Sequence, residues 1–180
     1  MSKQIIGILV GAIILFLWQF LSWSMLGIHK DQFTYTANNQ QILDCLAQNL
    51  TEEGTYMLPG VPPGTSIEQE EALMEQNAGK PWASISYHKS MNTSMGMNMF
   101  RGFAVDIVAL LMLIWVLARI QNNNLMNCVQ ASIFVGLIAY LTIPYTYSIW
   151  FETGTMGYLI DAIVSWGLVG LWLGWWLNRP

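Results

Sequence analysis

Four long apolar runs dominate this chain, at residues 5–28, 99–117, 128–149 and 155–177. A helix needs about 20 apolar residues to cross the hydrocarbon core of a bilayer, and each run is close to that length. Charge is sparse and unevenly spread. Charged residues make up 10% of the chain, where a soluble domain carries about 25%. Most of them lie in residues 30–89, which hold eight acids and three bases. This pattern excludes a soluble globular protein, a basic nucleic-acid binder and a disordered chain. The expected fold is an integral membrane, mainly α protein. It consists of a four-helix transmembrane bundle with a small α/β extracytoplasmic domain, residues 29–98, inserted between spans 1 and 2. The lipid bilayer is its first partner.

Basic residues beside the spans set the expected orientation. Lys3, Arg119 and Arg179 flank one side with no acid among them, while the acidic 29–98 segment lies on the other. Both termini are therefore expected in the cytoplasm, with 29–98 outside. Arg101 is the one span-flanking base on the opposite side, and Lys80 and Lys89 lie in the translocated segment, where long loops count little. Trp23 and Trp150 fall near the outer interface, and Trp115, Trp175 and Trp176 near the inner one, as an aromatic belt requires. The first run is longer than a signal-peptide core and is followed by bulky residues at 20–25. It reads as an uncleaved anchor, with a cleaved signal peptide as the alternative. In this topology Cys45 and Cys128 lie on opposite sides and cannot pair.

Residues 29–98 carry their own patterning. Asn39 is placed to cap a helix running to about Leu50, with Ile42, Leu43, Leu46 and Leu50 on one face. A strand is expected at 55–58, followed by a Pro- and Gly-rich turn at 59–64. Ser66 and Gln69 form a capping box for a second helix ending at Gly79. A further strand follows at 82–87, and another is expected at 33–35. A module of this size is marginally stable alone, so it is expected to lean on the bundle or on a partner.

Asp106 and Asp161 interrupt spans 2 and 4. An ionisable residue inside a span is costly and marks a functional candidate. At about 1.5 Å per residue both lie roughly 10 Å inside the outer boundary. Tyr140 falls at similar depth and Gln19 slightly deeper, so these four form one expected polar cluster, with Arg101 or His29 above it. Two readings apply: a proton, ion or headgroup site, or a structural set of hydrogen bonds between helices. A second candidate is the run His88, Met91, Met95, Met97 and Met99, whose thioether and imidazole groups suit Cu(I) if a mobile segment gathers three of them. No other cofactor is indicated. Gly7 with Gly11, and Gly170 with Gly174, are small-xxx-small pairs expected to pack spans 1 and 4 together or to form a homodimer face.

Enzyme signatures are lacking. No nucleotide-binding loop, zinc-binding HExxH or nucleophile elbow occurs, and His29 and His88 are the only histidines. Asn49-Leu50-Thr51 and Asn92-Thr93-Ser94 are sequons, with meaning only in a eukaryotic secretory pathway.

Several stretches together carry a resemblance. They are residues 16–23 (FLWQFLSW) before His29, residues 54–59 (GTYMLP), and Arg101-Gly102-Phe103. Pro144, Trp150, Tyr158, Asp161, Trp166-Gly167-Leu168 and Gly170-Leu171 complete the pattern. The chain resembles a family of small uncharacterised bacterial inner-membrane proteins with four spans and one external loop domain. The resemblance implies architecture and location, and no activity. The pattern includes Asp161 and Arg101-Gly102-Phe103 but no methionine cluster. The expected function is that of a non-enzymatic accessory or assembly protein of the cell envelope. Its external domain would bind a membrane or periplasmic protein partner, or the chain would form a homo-oligomer. The alternative is a small ion, proton or Cu(I)-handling membrane protein.

Overall fold

The computed structural model describes residues 2–121 and 124–179. Four helices are long and apolar enough to cross a membrane: Lys3–Ser24, Met95–Leu117, Leu125–Phe151 and Met156–Leu177. They fit a multi-pass membrane protein. In chain order the helices are α1 (Ser2–Ser24), α2 (Asn39–Asn49), α3 (Ile67–Asn77), α4 (Met95–Leu117), α5 (Leu125–Tyr140), α6 (Thr146–Phe151) and α7 (Met156–Leu177), and the strands are β1 (Gly54–Leu58) and β2 (Ala83–Tyr87). The chain divides into two compact units, with Tyr35–Thr93 forming one and the four long helices belonging to the other.

The long helices run up, down, up and down. Gly7 of α1 lies beside Trp176 of α7 and Ile114 of α4, while Gly11 lies beside Trp172 and Leu110. Rising numbers on α1 thus meet falling numbers on both neighbours. α7 likewise runs antiparallel to α5, with Gly174 against Leu125 and Gly136 against Ala162. The most extensive contact is between α5 and α7, then α1 with α7 and with α4, and α4 meets α5 only lightly. Leu110, Leu113 and Leu117 of α4, Val169 and Leu173 of α7, and Ile8 and Leu15 of α1 form the core with Cys128 of α5. The outer faces, with Leu9, Leu17, Val105, Met112, Phe134 and Leu171 exposed, are an apolar surface of the kind that suits a hydrocarbon surround.

Helix ends differ from the apolar runs for local reasons. α1 stops at Ser24 because Met25 and Leu26 N–H both return to Leu21 O and Gly27 takes a left-handed φ of 62°, a conformation glycine adopts without steric cost. α4 begins at Met95, before its apolar run. Pro144 lacks an N–H, and the helix widens to a π-turn over Leu141–Tyr145. The hydroxyls of Thr142 and Thr146 donate to Ile138 O and Leu141 O around this bend.

The two glycine pairs do not face each other. Gly7 and Gly11 open α1 to α7 and α4, and Trp172 Nε1 donates to Gly7 O at 3.0 Å. Gly170 and Gly174 instead face α5, where an added Cβ would fall 2.7 Å from Val129 Cα and 2.8 Å from Leu125 Cδ1 respectively. The seam between α5 and α7 is the one these last glycines close. At the same end, Trp176 Nε1 donates to Lys3 O, Lys3 Nζ donates to Arg179 O, and the Arg179 guanidinium stacks on Trp175.

In the Tyr35–Thr93 unit, β1 and β2 pair antiparallel, with Tyr56 opposite Ile85. The capping box at α3 forms as expected between Ser66 and Gln69. Asn39 is the first helical residue of α2 rather than its cap. Asn38 takes the cap position without a side-chain bond, and its backbone N–H donates to Thr36 Oγ1. Residues 33–35 form no strand, and the sheet has two strands. Neither α2 nor α3 has a buried residue, and Tyr87 is the buried hydrophobic residue of this unit. Cys45 is exposed, Cys128 is buried, and no disulfide joins them.

Gly136 tests the α5–α7 seam. An added Cβ there would lie 2.4 Å from Ala162 O, so Gly136→Ala forces the helices apart. Its expected destabilisation is about 1–3 kcal/mol, the range for overpacking. Gly102→Ala, which meets open space, should leave the thermal transition in detergent unchanged. Equal transitions for the two variants would contradict the close packing.

Candidate functional site

One end of the bundle holds a partly buried polar cluster centred on Asp161. Trp18 and Ser22 lie one turn apart on α1 and so share a face. Asp161 sits in the second turn of α7, opposite them. Ser22 Oγ donates to Asp161 Oδ1 at 2.6 Å and Trp18 Nε1 donates to the same oxygen at 2.9 Å. The connection after α1 brings His29 back over α7, and its Nε2 lies 2.9 Å from Asp161 Oδ2. With Nε2 as the protonated ring nitrogen, His29 donates to the carboxylate in that pair. Both oxygens of Asp161 are thus engaged, by three donors from two segments. Ser165 Oγ also donates to Asp161 O.

His29 is 4% exposed. Its ring stacks on Trp23, with centroids 3.9 Å apart and planes 7° from parallel. Tyr158 meets it edge-on at 5.2 Å. Gly157 makes room for the imidazole, because a Cβ there would fall 2.6 Å from Nδ1. The connection is pinned further along, where Gln32 Nε2 donates to Gly154 O at 2.7 Å.

Asp106 makes a separate and poorer arrangement. Gln19 Nε2 donates to its Oδ1 at 3.0 Å, and its buried Oδ2 has no partner among the described residues. Tyr140 bonds Thr155 Oγ1 at 3.2 Å and neither aspartate. Arg101 is exposed and binds neither aspartate. The expected single cluster is therefore resolved into an Asp161 set, an Asp106–Gln19 pair and a Tyr140–Thr155 pair. Of the two residues placed above it, His29 joins and Arg101 does not. Trp18, Ser22, Trp23 and Tyr158 were not among the expected members. The i, i+4 spacing of Trp18 and Ser22, on the helix opposite Asp161, is the sequence signal that points to two of them.

A pocket of about 360 Å³ opens beside the cluster, lined in part by Trp18, Trp23, Tyr140, Tyr158, Asp161 and Trp166. The cluster's chemistry is nevertheless that of a hub. A nucleophilic serine needs the imidazole against its own hydroxyl, with the carboxylate behind. Here serine and imidazole both bond the carboxylate, so the order for nucleophile activation is absent. No group of three His, Cys, Asp or Glu residues able to hold a metal occurs among the described residues.

The methionine run is divided. His88 and Met91 belong to the Tyr35–Thr93 unit, while Met95, Met97 and Met99 lie in the first turns of α4. On a helix Met95 and Met99 share a face and Met97 points away from them. All five side chains are exposed, and His88 Nε2 lies 3.3 Å from Ser86 Oγ.

No protein-family profile, curated protein or solved structure matches this chain. The resemblance to the four-span bacterial family therefore rests on the sequence positions quoted above.

The two aspartates should respond differently to substitution. Asp161→Leu strands the buried donors of Ser22 and His29, each costing about 1–3 kcal/mol when left unsatisfied, and removes the acceptor of the half-buried Trp18 indole. Asp106→Leu strands only Gln19 and removes an unpartnered oxygen. The expected result is a large loss of folded protein for Asp161→Leu and a small one for Asp106→Leu, measured by size exclusion after mild heating in detergent. The reverse order would contradict the hub.

Proposed function

We propose that this chain is a membrane-anchored accessory or assembly protein of the bacterial cell envelope, which binds a protein partner through its Tyr35–Thr93 unit. The single observation that carries this reading is the state of that unit. It has amphipathic elements but almost no interior. Ile42, Leu43, Met57, Leu58, Ile67, Met74 and Trp82 are all exposed. So many exposed large apolar side chains on a folded module favour an interaction surface, and a module of about 60 residues has little stability to spare without one.

The remaining features of the reading follow from topology and charge. Lys3, Arg119 and Arg179 belong to the cytoplasmic end under the rule of basic flanks. The antiparallel bundle puts the start of α1 and the end of α7 together, and the Lys3–Arg179 bond joins them. The acidic unit inserted between α1 and α4 is then extracytoplasmic, in the periplasm of the inner membrane. The bundle serves as anchor, and the Asp161 hub fixes the chain where it leaves α1. Ion handling has less support, because Asp161 is fully engaged and the methionine run is divided between two units.

The test is site-specific photo-crosslinking in cells. A photoreactive residue at Ile42 or Met74 should yield a discrete heavier species containing a second protein. The same residue at Phe134, on the outer face of α5, should label lipid. Lipid-only labelling from Ile42 and Met74 would contradict the proposal.

A further inference from the structure

The partner surface on the Tyr35–Thr93 unit has a form that defines its occupant. A groove of about 680 Å³ runs between α2 and β2. Leu43, Leu46 and Ala47 form its helical wall, and the opposite side is made by Ile85, Ser86 and Tyr87 of β2 and by the segment 88–92 that follows the strand. Successive strand residues point to opposite faces of a sheet. A groove lined by three consecutive residues therefore follows the edge of β2 and not one of its faces. The sheet has two strands, so β2 is paired on one side only, with β1. Its other side carries a row of backbone N–H and C=O groups free for a further strand.

We infer that this groove takes an extended protein segment by strand addition to β2, with apolar side chains alternating along the segment and basic residues at its ends. Main-chain pairing supplies the affinity in such complexes and alternate side chains supply the selectivity. The apolar wall of Leu43, Leu46 and Ala47 receives one face of the segment. The basic ends follow from the charge of the whole unit: residues 35–93 hold seven acids and two bases, although the groove itself is lined by Asp44 together with Lys89 and His88. β2 is held for this role at its far end, where Lys89 N–H donates to Glu53 Oε1 at 2.9 Å. The inference rests on the partner-binding reading and adds to it the site, the backbone conformation and the charge of the occupant.

The experiment uses the full chain in lipid nanodiscs and a fluorescent peptide of alternating valine and threonine flanked by lysines, followed by anisotropy. Backbone N-methylation of every second residue removes the donors along one edge of the peptide only. Methylation in one phase should weaken binding about tenfold or more, and methylation in the other phase should leave it unchanged. Ala47→Trp, which fills the groove from an exposed helix position, should weaken binding by about tenfold or more. Gln48→Trp, on α2 outside the groove, should not. Equal binding in both phases, equal binding of a glutamate-flanked peptide, or indifference to Ala47→Trp would each overturn the inference. So would a homodimer, seen by light scattering, that Ala47→Trp dissociates, since the occupant would then be a second copy. A discrete photo-crosslinked partner that survives Ala47→Trp would leave the broader partner reading standing while this site falls.

Discussion

The Asp161 carboxylate is the interaction on which the bundle end depends. A carboxylate among apolar helices is tolerated only when its lone pairs are taken up. Asp161 has Ser22, Trp18 and His29 on its two oxygens. Those three donors join α1, the connection that follows it, and α7. The connection then lies across α7, its histidine held by the Trp23 stack and its path fixed by the Gln32–Gly154 bond. The other end of the bundle uses a different solution to the same constraint, with the Trp172 and Trp176 indoles donating to α1 carbonyls. Polar bonds thus set the register of α1 against α7 at both ends, and the Leu110–Leu173 core fills the space between.

The two units solve the folding problem unequally. The helical unit has a packed apolar core and satisfies most of its polar groups internally. The Tyr35–Thr93 unit has good local signals, including the Ser66–Gln69 capping box and a regular hairpin-like pairing, yet it buries almost nothing. Local propensity defines its elements, and burial does not lock them together. That imbalance is understandable if the missing apolar contact comes from another chain. It also explains why the free edge of β2 is retained, since an edge strand bordered by an apolar wall is a liability unless something occupies it.

Much of this was legible from the sequence. The four long helices follow from uncharged runs of the right length, and the capping box and both strands follow from local spacing. Asp161 stood out because nothing else in its run is charged. The partners of Asp161 were less legible. Trp18 and Ser22 read as ordinary members of an apolar helix, and only the α1–α7 register gives them a role. The glycine pairs showed the same limit. Their spacing announced close packing, but which helix each pair faces is set by rotation about the helix axis, and Gly170 and Gly174 turn to α5. Asn39 was displaced from the cap by one residue, with Asn38 in the cap position.

The central claim is that one unit is self-sufficient and the other is completed by a partner. Hydrogen exchange of the full chain in lipid nanodiscs tests it most directly. The account predicts strong protection in α1, α4, α5 and α7, and exchange in α2, α3, β1 and β2 at least about a hundredfold faster, reflecting local opening with little buried contact. Protection of the Tyr35–Thr93 unit equal to that of the four long helices would contradict it.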